Sequence, residues 1–155
     1  MSAPLVTAPT RATFDRTAAD TFLARHLAEA AAERAIAIVR FPAPRAPLEA
    51  RLAALRKGTS MSWRAPDGTS MVAMGACATI ALAGPDRFGA LERARRDLFC
   101  AARRSTHSDC ADASPRLVGG WSFAQGGAND PPWDGFGDGR FFLPRWTYER
   151  TGQGT

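Results

Sequence analysis

The sequence predicts an α+β fold held together mainly by antiparallel strand pairing. Two strand-forming stretches flank the turn residues Pro66, Asp67 and Gly68, and two more flank a Gly/Asp/Pro-rich loop in the last third of the chain. Helical patterns fall between these pairs without the regular βαβ alternation of a doubly wound parallel sheet. The predicted order is helix, strand, helix, strand, strand, helix, strand, strand.

Residues 1–12 are rich in Pro, Thr and Ala and read as a flexible tail; residues 13–150 form the domain and 151–155 a second short tail. From Thr17 to Arg34, Phe22, Leu23, Leu27, Ala30 and Ala31 recur near helical spacing, which predicts an amphipathic helix. Ile36 to Phe41 is a short apolar, β-branched run and hence a strand. The Pro-rich stretch after it delivers Pro47 near the start of a helix whose Leu48, Leu52 and Leu55 share a face.

Met61 to Arg64 and Ser70 to Leu82 are the next strands, and the small residues Gly75, Ala76 and Ala78 predict a close neighbour. Gly84, Pro85 and Asp86 open a helix predicted to run to about Arg104, with Phe88, Leu91, Leu98, Phe99 and Ala102 as its buried stripe. The polar segment from Ser105 to Ser114 reads as a loop. Leu117, Val118, Trp121 and Phe123 then mark a strand in which Gly119 and Gly120 admit a backbone or a ring. Between Gly126 and Gly139 the breakers exclude a helix, and Trp133 and Phe136 are expected to pin the loop to the body. In the last strand, Phe141, Phe142, Leu143, Trp146 and Tyr148 surround Pro144, which predicts an edge or bulged strand.

Bulk properties are those of a globular protein. At 155 residues, with 45% hydrophobic and 23% charged residues, the chain is long enough to fold as one domain. The net charge of +5 comes almost wholly from arginine, since Lys57 is the only lysine. These arginines are scattered among carboxylates and are not interleaved with stacking aromatics, so nucleic acid is not an expected partner. No charged leader precedes an apolar core, and no apolar run approaches the about eighteen residues of a membrane span. Cys77, Cys100 and Cys110 are odd in number and form no CxxC pair, so a cytoplasmic protein with reduced thiols and no membrane contact is expected.

A search for chemistry comes back nearly empty. His107 and Cys110, with Asp109 and Asp112 beside them, have only Cys100 and His26 as further ligands for a zinc site, so a polar loop is expected there. Arg93, Arg96 and Arg103 fall near one helical stripe and read as its solvated side. Asp130, Asp134 and Asp138 are spaced too widely for a calcium loop and read as turn residues. Ser122 lacks the flanking pattern of a nucleophile elbow.

The order of VGGWSF (118–123), WDGFGDG (133–139) and FFLPRW (141–146) resembles the amino-terminal half of isochorismate synthases, members of the chorismate-utilising enzyme family. The stretch SWRAPDGTSMVAMGACATIALAGPDRF (62–88) agrees in order and spacing, so the resemblance covers about Ile36 to Tyr148. It implies a four-layer α/β/β/α sandwich of two similar halves around an active site. It also implies hydroxyl exchange on chorismate, with a lysine activating water, a glutamic acid assisting the leaving hydroxyl, and glutamates holding magnesium. In the family's order those residues follow the segment that matches Leu143 to Trp146, and Lys57 matches none of them. No catalytic, cofactor-binding or metal residue is therefore assigned to this chain.

The resulting expectation is a truncated or split isochorismate synthase-like protein, inactive by itself and binding no magnesium alone. It would meet chorismate only when a second protein chain supplies the missing half. The alternative is a non-catalytic binding or scaffold subunit. Menaquinone and catechol siderophore pathways are both compatible with the resemblance.

Overall fold

The computed structural model describes residues 14–33, 35–44, 58–110, 114–126, 131 and 133–150. Their elements are α1 (Arg16–Ala32), β1 (Ala37–Arg40), β2 (Ser60–Arg64), β3 (Ser70–Leu82), α2 (Arg87–Cys100), β4 (Arg103–Thr106), β5 (Val118–Trp121) and β6 (Gly139–Arg150). A four-stranded antiparallel sheet has the order β2-β3-β6-β5, and β1 pairs in parallel with β4. This is the expected α+β class. The helix expected from Pro47 and both tails lie outside the described residues.

The β2–β3 hairpin forms because its turn is chemically complete. Gly68 takes a φ of 81°, which a side chain disfavours, and the Asp67 carboxylate accepts the Thr69 N–H at 2.8 Å. Ala65 N–H donates to Thr69 O, closing the loop. β3 then runs antiparallel to β6 from Ser70 opposite Arg150 to Leu82 opposite Gly139. The register shifts once: Ala76 faces Pro144 and Ala78 faces Leu143, leaving Cys77 as the extra residue of a bulge. Pro144 thus sits in a strand paired on both sides, but at the bulge and beyond the four residues that β5 covers. Of the two expectations for this strand, edge or bulged, the bulge is observed.

Gly119 permits the closest backbone approach. A Cβ there would lie 2.1 Å from Arg140 O and 2.6 Å from Phe141 Cα. Two residues later, Trp121 stands over Gly139 and between two rings, Phe88 at 4.6 Å and Phe141 at 4.9 Å, which joins α2 to the sheet. Met71, Ala73 and Val118 form a buried cluster on which Met61 and Phe142 pack, while Val72, Leu82, Leu143 and Phe99 are buried elsewhere.

Four expectations need correction. The helix expected to reach Arg104 stops at Cys100, because Arg103 to Thr106 form β4: Arg103 N–H donates to Ile36 O and His107 N–H to Arg40 O. Phe88, expected in the buried stripe of α2, is 59% exposed beside Trp121. On α1, capped by Asp15, the small residues Ala19 and Ala30 are buried while Leu27 is 48% exposed, so the contact is a close one without the leucine. Trp133 is 63% exposed and only Phe136 reaches the body, near Gly120.

Asp138 was read as a turn residue and is more than that. Buried, it accepts the Gly84 N–H on one oxygen at 2.7 Å and the Gly126 N–H on the other. Its own N–H donates to Leu82 O and its carbonyl accepts from Ser122 N–H. One carboxylate therefore ties the exit of β3, the entry of α2 and the loop after β5. These backbone donors, Gly126 first and Gly84 second, hold its carboxyl below the usual range, helped by the Arg87 charge.

Gly119→Ala should destabilise the fold by about 2–3 kcal/mol, lowering Tm by roughly 5–10 °C, because backbone must move to admit the methyl. Gly135→Ala, where a Cβ meets nothing within 4 Å, should leave Tm unchanged in the same thermal melts. For Asp138 the folded pKa is depressed, so its contribution is complete above the unfolded value of about 3.9 and is lost as pH falls through the folded pKa. Melts across pH should show Asp138→Asn well below the wild type at neutral pH, with the gap closing in acid.

Candidate functional site

The parallel register of β1 and β4 places Ile38 beside Arg104 and Arg40 beside Thr106. Side chains alternate along a strand, so these four share one face while Val39 and Ser105 take the other. The first face borders a groove of about 380 Å³, completed by Ser105, Ser114 and Pro115. Two guanidinium groups, hydroxyls and two apolar side chains line it, and among the described residues none that lines it is acidic.

The two arginines differ in what they hold. Arg40 Nη1 donates to Glu149 Oε2 at 3.1 Å, and Arg116 Nε lies 3.5 Å from the other oxygen. Glu149, only 18% exposed, thereby links the small sheet, the segment before β5 and the end of β6. Arg104 has no carboxylate partner among the described residues; it reaches the Phe99 carbonyl at 3.5 Å and lies 5.8 Å over the Phe99 ring. Nearby, burial pushes the Cys110 thiol up, against the pull of Arg40, so it stays protonated and is a poor nucleophile.

The opposite face of this sheet meets α1, where His26 and His107 both pack edge-on against Phe22, at 4.5 and 5.1 Å. His26 Nδ1 is 3.1 Å from Ser105 Oγ and 3.2 Å from Glu29, a grouping with the composition of a catalytic triad. Its geometry is wrong for one. Arg25 can only donate, and it approaches Nε2 at 3.1 Å, so Nε2 must accept and Nδ1 must carry the hydrogen. Ser105 and Glu29 then compete for the same donor, and no basic nitrogen faces the hydroxyl.

The remaining constellations behave as structure. His107 Nδ1 accepts the Asp109 N–H and its carbonyl the Cys110 N–H, so the H-x2-C pair is a turn, as expected. Arg93 pairs with Asp86, but Arg103 is not on the helical stripe at all: it lies in β4 and pairs with Glu29 and Glu33. Arg96 and Asp134 are exposed. Ser122 Oγ donates to Ala124 O at 2.6 Å. Lys57, Asp112 and Asp130 lie outside the described residues. Magnesium binds through one or two carboxylates in an oxygen shell. No group of three or more His, Cys, Asp or Glu side chains that could hold a metal ion occurs among the described residues. Among them, too, no helix is long and apolar enough to cross a membrane.

Sequence reasoning passed over Arg40, Arg104 and Glu149. Their proximity depends on the parallel register of β1 with β4 and on the pairing of β6 with β3, which sets Glu149 opposite Met71, and no local spacing encodes either.

The described residues thus form an α+β domain with a four-stranded antiparallel sheet and, beside its small parallel sheet, a cationic groove. A family model described as chorismate binding enzyme matches residues 22–155. The chain belongs to the chorismate binding enzyme family. No curated protein and no solved structure matches it.

Glu149→Gln should cost about 1–2 kcal/mol, because two part-buried guanidiniums lose their counter-charge together. Arg16→Ala, which removes an exposed i,i+4 pair with Asp20, should change stability by less than about 0.5 kcal/mol. Urea unfolding of the two variants beside the wild type checks the contrast.

Proposed function

We propose that this chain is the scaffold part of a chorismate-utilising enzyme of the isochorismate synthase type, with the reacting groups supplied by residues outside these 155. The family match over residues 22–155 carries the reading. The order of VGGWSF, WDGFGDG and FFLPRW favours the isochorismate branch.

The chemistry of that branch needs a base to activate water, an acid to assist the departing hydroxyl, and carboxylates to hold magnesium. Within the described residues three side chains of these types are engaged elsewhere. Asp138 binds backbone N–H groups, His26 presents a donor to Ser105, and Glu149 neutralises Arg40 and Arg116. The role left to this chain is to build and orient one wall of the reaction chamber through the β3–β6 ladder.

The purified chain incubated with chorismate and magnesium should give no isochorismate by chromatography. Adding a separately produced chain that carries the lysine- and glutamate-bearing half of such an enzyme should restore turnover. Turnover by the 155 residues alone would overturn the assignment of the reacting groups.

A further inference from the structure

We infer that the groove on the β1–β4 face is a binding site for a small carboxylic acid with a compact apolar body, seated by Arg104. This goes beyond the proposed reaction and does not rest on it.

Three observations converge. The parallel register sets Arg40 and Arg104 on one face of a two-stranded sheet, with Ile38 between them along β1 and β4. Glu149 balances Arg40 and is itself shared with Arg116, so the local charge around the groove stays positive. Arg104 is the remainder: its guanidinium carbon lies 5.8 Å from the centre of the Phe99 ring and it reaches one carbonyl at the long distance of 3.5 Å, leaving most of its planar fork of donors without a partner among the described residues.

The donors left free on the guanidinium match a carboxylate in a two-bond geometry. Ile38 and Pro115 supply apolar contact for the body of the acid, and Ser114 also lines the groove. A groove of about 380 Å³ is near the lower end of small-molecule sites. Phosphate would present the same charge but no apolar body, and it would leave Ile38 and Pro115 in water.

Benzoate, methyl benzoate and inorganic phosphate titrated into the isotopically labelled full chain distinguish these cases by amide shifts. Benzoate should shift the amides of Arg104, Thr106 and Ser114 saturably in the millimolar range. Its methyl ester should not, and rising salt should weaken the acid. Arg104→Ala should weaken benzoate about tenfold or more, with Arg104→Lys between it and the wild type. Circular dichroism confirms that each variant is folded, and the salt dependence of the wild type stands as an independent readout. Equal binding of acid and ester, tighter binding of phosphate than benzoate, an unchanged affinity in Arg104→Ala, or no shifts at these amides would each overturn the proposal.

Discussion

The pairing of β3 with β6 is the constraint on which the rest of the structure depends. It joins segments separated by α2, β4 and β5, so its formation closes a long stretch of chain and fixes where every intervening element must lie. Within the sheet β2 pairs with β3 and β5 with β6, so both flanking strands are placed by this central pair. The ladder must also accommodate Pro144, which cannot donate a hydrogen bond. It does so with the bulge at Cys77, preceded by Gly75 at a φ of 65°, where a Cβ would come within 3.3 Å of the Arg145 side chain. Small residues in the middle of β3 are thus a consequence of where the proline falls in β6.

Two carboxylates extend this ladder in opposite directions. At one end Asp138, next to the first residue of β6, gathers backbone N–H groups from Gly84 and Gly126 and so sets the points at which α2 begins and the β5–β6 connection turns. At the other end Glu149 reaches Arg40 and Arg116 and draws the small parallel sheet toward the large one. The two differ in kind. Asp138 is satisfied by fixed dipoles, whereas Glu149 is satisfied by mobile cations, so the first defines a backbone path and the second an interface between layers.

What was legible in the sequence follows from this division. The β2–β3 hairpin could be read because Asp67 and Gly68 encode their turn locally, and the close approach at Gly119 because a missing side chain in a strand calls for one. β4 could not be read. Arg103, Arg104, Ser105 and Thr106 have no apolar alternation, and they become a strand only because Ile36 and Arg40 offer carbonyl groups from far away in the chain. Asp138 was hidden for a related reason: Gly137, Asp138 and Gly139 look like a turn, and burial of the carboxylate appears only once β3 and α2 surround it. The expected leucine face of α1 failed because a close contact favours alanine, so Ala19 and Ala30 are buried and Leu27 is displaced to the surface.

The positive charge of the chain acquires a location through the same accounting of partners. Arg93 is bound to Asp86, Arg95 to Glu92, Arg103 to Glu29 and Glu33, and Arg40 and Arg116 to Glu149. Arg40, Arg103 and Arg116 thereby link separate elements, while Arg93 and Arg95 pair within α2 and its cap. A guanidinium left without a counter-charge on an ordered sheet is different, because the strand sets the face from which it projects and its fork of donors stays open to an anion. Arg104 meets that description through β4, the element least evident in the sequence and the one whose register depends most on tertiary pairing. The chain's capacity to recognise an anion is therefore a product of its topology, arising where a polar segment is recruited as a strand beside β1.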